Sequence, residues 1–492
     1  MRDKKKTQGF QTKALNSLLW KSMESFGTTF ISFVFSIVLA RLLGPDDYGI
    51  VAILYVFINL SSIIIKMGFS SALIRKQNAD DLDYSSAFWL MALICALIYA
   101  GLFAASPAIA RFYGISELSP LLRFAALQLF SAPPFSVQNA LIAKNFRFRQ
   151  SSVITLSTLL FSGGVGIVLA ANGCGPISLI VYYMLYCILR CVLFLRIAAW
   201  KLYFRCSVER VRELISFGSK LLVSSLLERG YLELYSLVIG KSFSAAQLAY
   251  YTKGQQFPTL LTDAVVNSVQ SIVLPSYSER QDDPQAVRAL LKRTVKTCAF
   301  ITFPILAGLA AVAEPLVRIV LGKAWLESAP FLRIFCAAML MRNVTAANFE
   351  AYNALGRSDV TLKVNSVHFV ISLLFLAATL RFGIRAAAWG FVLGNLFSAL
   401  IEMLPCKKLL GYGVWEQLSD CRTAFLFSAV MFVCVSAWRL VPLAPLAAVA
   451  VRVLTGIGVY VCLGEVSRAE DYIVVKNLAI FYLKGIRNGT RT

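Results

Sequence analysis

Histidine occurs once in the chain, at position 368, inside an apolar run. One imidazole cannot by itself make a histidine-based metal set. The eleven cysteines contain no Cys-x-x-Cys pair and no Cys/His cluster. Most of them, Cys95, Cys187, Cys298, Cys336 and Cys434 among them, interrupt nothing in their apolar surroundings. They read as small buried hydrophobes rather than as disulfides or metal ligands. No phosphate-cradling GxxxxGK[ST] loop occurs, so ATP hydrolysis by this chain is not expected. Charge is also scarce. Only 15% of residues are Asp, Glu, Lys or Arg, where soluble domains carry about 25%. No catalytic residue, metal or cofactor is expected.

What fills the chain is apolar: 58% of its 492 residues are hydrophobic, and mean hydropathy is +0.69. One such run is a buried helix in a soluble protein. Runs of about 20 residues repeated along a whole chain are membrane spans. The expected fold class is all-α, a polytopic membrane protein. About fourteen transmembrane helices are expected, the first spanning 18–42 and the last 444–464. The basic start, Arg2, Lys4, Lys5, Lys6 and Lys13, precedes a span too long for a signal peptide and without a small-residue cleavage pattern. The first span is therefore read as an uncleaved helix.

The net charge of +22 would suggest a nucleic-acid partner in a soluble protein. In a membrane protein, basic residues collect in cytoplasmic loops instead. With the N-terminus placed in the cytoplasm, thirty loop Lys and Arg fall on the cytoplasmic side and eight on the other. Both termini of a multi-pass membrane protein are thus expected in the cytoplasm. The same alternation explains "VLARLLGPDDYGIVAI" (38–53). It is a hairpin turn at a membrane face, with Gly44-Pro45 ending one helix and Asp46 or Asp47 capping the next.

An internal repeat runs through the chain. Arg41 and Lys241 each close a first helix; "SPAIARFYG" (106–114) matches "EPLVRIVLG" (314–322), "PLLR" (120–123) matches "PFLR" (330–333), and "NAL" recurs at 139–141 and 353–355. The offset drifts only from 200 to 214 residues. Two six-helix lobes in the same orientation follow, since each holds an even number of spans. The lobes are expected at 1–200 and 213–410 around a central cavity, with a cytoplasmic linker at 201–212. An extra hairpin at 411–464 and a cytoplasmic tail at 465–492 complete the chain.

Charges inside a bilayer cost about 2.5–3.5 kcal/mol each on insertion scales and tend to face water or a partner. They concentrate on the first helix of each lobe and on the second helix of the second lobe. Span 18–42 holds Lys21 and Glu24. Span 214–240 places Lys220, Glu228, Tyr231 and Tyr235 on one helical face, with Arg229 beside them. Span 246–274 adds Lys253, Asp263, Asn267 and Gln270. These residues are the expected lining of a substrate cavity, and Glu24, Glu228 and Asp263 are the candidates for carrying a coupling ion. Snorkelling to the headgroups is the bland alternative for Lys21, Lys220 and Lys253, near span ends. His368 is read as a packing residue. Asp81-Leu82-Asp83 has the paired aspartates with which many glycosyltransferases hold a metal–sugar nucleotide. It sits in a short loop with no catalytic domain around it and reads as a helix cap.

"ARLLGPDDYGIVA", "FRFRQSSVITL", "LVIGKSFSAAQLAYYTKGQQFPTLL" and "LPSYSERQDD" together resemble the polysaccharide-unit flippases. The likeness is to the Wzx-type, WzxC-like exporters of the multidrug/oligosaccharidyl-lipid/polysaccharide superfamily, and it covers most of residues 10–410. It implies alternating access around a V-shaped cavity and a lipid-linked oligosaccharide as cargo. The expected partners are that glycolipid, membrane lipids and polysaccharide polymerase machinery, with no nucleic acid. In related flippases cations on the first and eighth helices meet the lipid pyrophosphate, and Lys21 and Lys253 are the matching types. An ion-coupled drug exporter of the same superfamily and an integral membrane glycosyltransferase or polymerase are the alternatives. The first calls for an acidic, aromatic cavity and the second for a large catalytic loop.

Overall fold

The computed structural model describes the backbone of residues 2–477, apart from 77–78, 199, 470 and 474–475. Side chains are described from Leu19 onward, without those of Phe217, Lys220, Leu274, Pro275, Ser358 and residues 268–272. Lys220 and Gln270, both expected in the cavity, therefore lie outside the described side chains. The described residues form helices, turns and loops, with no strand among them. They divide by packing into two compact units, Met1–Ala249 and Tyr250–Thr492.

The first unit contains α1 (Arg2–Leu42), α2 (Pro45–Lys66), α3 (Phe69–Arg75), α4 (Asp81–Tyr113), α5 (Leu118–Ala126), α6 (Ala132–Lys144), α7 (Phe148–Ala171), α8 (Pro176–Phe194) and α9 (Val208–Ser242). The opening knot is the expected hairpin. Gly44 is extended at the N-cap, Pro45 starts α2, and the Asp47 carboxylate accepts from the Gly44 N–H at 3.2 Å. α2 ends where Met67 and Gly68 turn left-handed, φ 37° and 69°. Glycine suits that geometry, and here the chain also passes close to Leu221 of α9. At Gly49 the approach is closer still. A Cβ there would sit inside the van der Waals radius of the Ala245 carbonyl oxygen.

α1 packs along α7, and α9 packs against α2, α3 and α4. The segment before α9 is tied down as well. Ser85 and Ser86 at the start of α4 accept from the Tyr203 and Ser207 N–H groups at 3.0 and 3.1 Å, and Trp89 donates to the Tyr203 carbonyl at 2.9 Å.

The second unit holds the greater part of α10 (Ala245–Ser278), then α11 (Pro284–Val320), α12 (Ser328–Ala338), α13 (Arg342–Ala354), α14 (Ser358–Leu380), α15 (Ile384–Leu410), α16 (Val414–Ala437) and α17 (Pro445–Ser467). α11 is its central post. Val287, Leu291, Val295, Ala299 and Phe303 face a core completed by α13, α15 and α16. α16, the first helix of the extra hairpin, lies along α11. Arg288 pairs with Glu416 at 2.8 Å, and Lys292 and Lys296 both approach Asp420 at 3.6 Å.

Ten helical runs among the described residues are long and apolar enough to cross a membrane. The other expected spans differ for two reasons. Spans 214–240 and 246–274 are unbroken, as α9 and α10, but carry charged and polar side chains along their length. Spans 118–142 and 329–353 are each broken in the middle. A 3₁₀ stretch at Leu127–Ser131 parts α5 from α6, whose first turn contains Pro133 and Pro134. A turn at 339–341 parts α12 from α13. The two breaks come at the same step of the sequence repeat.

Candidate functional site

Glu24 is buried, 8% exposed, where α1 meets α7. Its carboxylate accepts from the Lys21 ammonium at 3.0 Å and from the Ser152 and Ser151 hydroxyls at 3.2 and 3.4 Å. Lys21 itself is half-exposed. Lys21 and Glu24 thus form an ion pair whose carboxylate is fixed by the neighbouring helix and whose cation is half-exposed.

A second cationic group lies in the same unit. Lys66 ends α2, Arg190 is near the end of α8, and Arg229 is in α9. Both arginines lie within electrostatic reach of Lys66. Lys66 is accessible to solvent yet has protein on most sides, as a residue in a recess does. Arg190 is held by aromatic rings: its guanidinium lies 4.0 Å from the Phe135 centroid and 4.7 Å from that of Tyr186, and it donates to the Tyr186 hydroxyl at 2.9 Å. Among the described residues, no carboxylate comes within ion-pair distance of any of the three. Glu233, one turn along α9, lies within electrostatic reach of Arg229, while Lys66 and Arg190 have no carboxylate in ion-pair contact, so water or an anion is needed to compensate them.

Above this group runs a line of hydroxyls and amides. Tyr183 and Tyr186 share a face of α8 with Arg190, at i, i+3 and i+7. The Tyr183 ring meets Tyr55 of α2 at 4.8 Å and Tyr182 at 4.7 Å. The Tyr55 hydroxyl and the Gln128 amide lie 3.2 Å apart, and Asn59 donates to Glu233 at 3.1 Å. Of the expected residues of α9, Glu228 and Arg229 are exposed, while Tyr231 and Tyr235 are buried at 7% and 1% exposure.

In the second unit, Lys253 is buried. Its ammonium lies 3.3 Å from Gln256 Oε1 and 5.8 Å from the Trp325 ring centroid. Asp263 is in an ion pair with Arg342 at 2.7 Å, across from the start of α13, and Asn267 is exposed. Asp81-Leu82-Asp83 is the first turn of α4, and its Asp83 completes the cap made by Asp80 by accepting from the Asp80 N–H at 3.2 Å. Asp80 caps α4 by accepting from the Asp83 N–H at 2.8 Å, and the buried Asp83 carboxylate binds Lys76 at 2.8 Å and Arg210 at 3.0 Å.

Sequence reasoning passed over Lys66, Arg190, Gln128 and Arg342. The signal for Arg190 was present: an arginine inside "YYMLYCILR", flanked by three tyrosines on an otherwise apolar span.

Residues 38–330 match the family described as polysaccharide biosynthesis protein. The chain belongs to that polysaccharide biosynthesis protein family. This family member is 23% identical over 415 residues to the teichuronic acid biosynthesis protein TuaB of Bacillus subtilis, covering 84% of this chain and 86% of TuaB. It is 23% identical to the lipopolysaccharide biosynthesis protein WzxC of Escherichia coli, over 80% of each chain. It is 22% identical to the succinoglycan biosynthesis transport protein ExoT of Rhizobium meliloti, over 83% of this chain and 80% of ExoT. Among solved structures, its fold is that of the lipid II flippase MurJ, with a TM-score of 0.75, 15% identity, and 91% and 98% of the two chains covered. A multidrug resistance MATE family transporter of the MOP superfamily follows at TM-score 0.58, with 15% identity over 87% of this chain and all of that one. The polysaccharide biosynthesis protein is thus an all-α, multi-pass membrane protein with the fold of that superfamily.

Proposed function

We propose that the protein is a transporter that carries a lipid-linked oligosaccharide unit across the bacterial inner membrane by alternating access, supplying surface polysaccharide assembly. The observation that carries this reading is the cationic group of Lys66, Arg190 and Arg229, with Glu233 as the one carboxylate within reach of it, beside a line of tyrosine hydroxyls and amides. A polyprenyl pyrophosphate needs concentrated positive charge, and Arg and Lys are its usual partners. The sugar needs hydroxyl and amide hydrogen bonds and aromatic faces. Both termini are placed in the cytoplasm, which puts Lys21, Lys66 and Arg190 toward the cytoplasmic ends of their helices, where the glycolipid is loaded. Glu24 and Glu228 limit like-charge repulsion when no cargo is held. Lys253 and Asn267 are retained as contacts contributed by α10, and hand-over to a polymerase follows release. The two six-helix lobes of the repeat, 1–200 and 213–410, are the moving parts.

A drug exporter of the same fold would take organic cations, which a group with this excess of positive charge repels. Thermal stabilisation of the purified protein separates the two. A polyprenyl pyrophosphate disaccharide should raise the melting temperature, and cationic dyes should not. The reverse result overturns the proposal. In cells, Arg190→Ala and Lys66→Ala should each lower polysaccharide export at least tenfold at unchanged protein level.

A further inference from the structure

The chain's one histidine sits in the second unit, facing a buried carboxylate. His368 Nδ1 of α14 lies 3.0 Å from Glu402 Oε1 of α15. Glu402 is 3% exposed, while the His368 side chain keeps 17% of its surface accessible. One turn from the pair on each helix stand Ser372 and Ser398, both buried. Beyond them, the same interface is built from small residues. A Cβ on Gly390 would collide with the Thr379 hydroxyl, and one on Gly394 would lie 3.4 Å from Ser372 Cα. Small residues at i, i+4 and i+8 let two membrane helices dock closely, and Gly390, Gly394 and Ser398 have that spacing. The ionic pair closes one end of this seam.

We propose that His368 and Glu402 form a proton-binding site through which export is coupled to the proton gradient. The proposal rests on the transporter reading above for its cargo, but not for the site itself. Histidine changes charge near neutral pH. The loaded site is an imidazolium against a carboxylate, with two ring N–H groups and no net charge. Loss of one proton leaves a neutral imidazole beside the carboxylate and a net charge of −1. The neutral pair suits an apolar seam, whereas a single buried charge is costly there. Deprotonation therefore weakens the docking of α14 on α15 and favours a conformation in which Glu402 meets water. Each cargo unit carried outward exchanges for one proton moving inward.

The other titratable groups at the site do not substitute for this pair. From α13, the Tyr352 hydroxyl donates to the Glu402 backbone carbonyl at 2.7 Å, and Cys406 lies one turn along α15, within electrostatic reach of Tyr352. α11 and α16 bring Arg288 and Glu416 toward Cys406, where they pair with each other. α12 meets α15 at the Phe335–Phe391 ring contact, about three turns away.

A single histidine makes the site directly visible. In full-length protein labelled with ¹⁵N-histidine and held in lipid nanodiscs, every imidazole signal comes from His368. Glu402→Gln should change the pH dependence of the ring signals, because it removes the carboxylate 3.0 Å from Nδ1. Ring signals that do not respond to pH, or whose response is the same in Glu402→Gln, overturn the site. The coupling is read in proteoliposomes with a fluorescent polyprenyl pyrophosphate disaccharide. With the outer-leaflet side one pH unit more acidic, exchange of one proton should enrich the probe in that leaflet about tenfold. His368→Gln and the packing-conserving double variant His368→Gln/Glu402→Gln should leave the ratio near one. A tenfold ratio in either stably inserted variant overturns the coupling. A wild type that carries no probe fails the transporter reading, and the titration alone then decides whether the proton site exists.

Discussion

Arg190 shows why one helix at a time was too short a view. Its value comes from Lys66 and Arg229 on two other helices and from the rings of Phe135 and Tyr186, and helical periodicity relates only residues on one helix. Glu24 was legible because its partner Lys21 is three residues away, whereas Glu402, 34 residues from His368, was not. The aromatic seat has a testable side. Arg190→Lys keeps the charge but loses the planar stacking and the fixed fork, so it should retain only part of the export that Arg190→Ala abolishes. Asp83 gives a stability prediction. Asp83→Ala leaves Lys76 and Arg210 facing each other without their carboxylate. Both cations are partly exposed, 24% and 34%, so the expected loss is about 1–3 kcal/mol rather than the larger cost of a fully buried pair. Thermal unfolding in detergent reads it. Asp80→Ala should cost about 1 kcal/mol as a lost N-cap. The Asp83 N–H, with Arg210 in support, holds the Asp80 carboxyl below its ordinary value. That contribution is complete above the ordinary carboxylate range and fades as pH falls through the depressed value.

Helix ends were the most readable elements, because their chemistry is local. Gly44-Pro45 with Asp47 was visible as a turn and cap signal and folds that way, while the cap read at Asp81-Leu82-Asp83 is centred one residue earlier, on Asp80, with Asp83 completing it. Helix interruptions were less readable. Pro133 and Pro134 mark the break before α6, but no proline or glycine marks the turn at 339–341, which tertiary packing imposes. Spans 214–240 and 246–274, expected as helices, are α9 and α10, although hydropathy alone passes them over. Close helix contacts were invisible in sequence. Gly49 reads as one more glycine, yet its missing Cβ is what lets α2 meet the Ala245 carbonyl. Gly49→Ala should therefore reduce folded protein sharply, since backbone cannot yield as a side-chain tip does. Gly101→Ala, on α4 with nothing within 4 Å, should accumulate normally. Fluorescence size-exclusion profiles of the two variants compare them directly.

For the molecule as a whole, the charge asymmetry makes a topological prediction. Single cysteines in a cysteine-free background should react from the cytoplasmic side near Arg205 and Arg288, and from the periplasmic side near Asn172 and Phe382. Labelling of position 172 from the cytoplasm alone would reverse the assigned orientation. The membership of α9 in the first compact unit bears on how such a protein is made. A ribosome delivers helices to the translocon in chain order, and a helix as polar as α9 has little affinity for lipid by itself. Its packing partners α2, α3 and α4 have all emerged before it. The anchoring of Tyr203 and Ser207 on α4 also tethers the nascent chain beside them. α9 thus enters the bilayer against a protein surface already assembled, and its charges need never cross bare hydrocarbon.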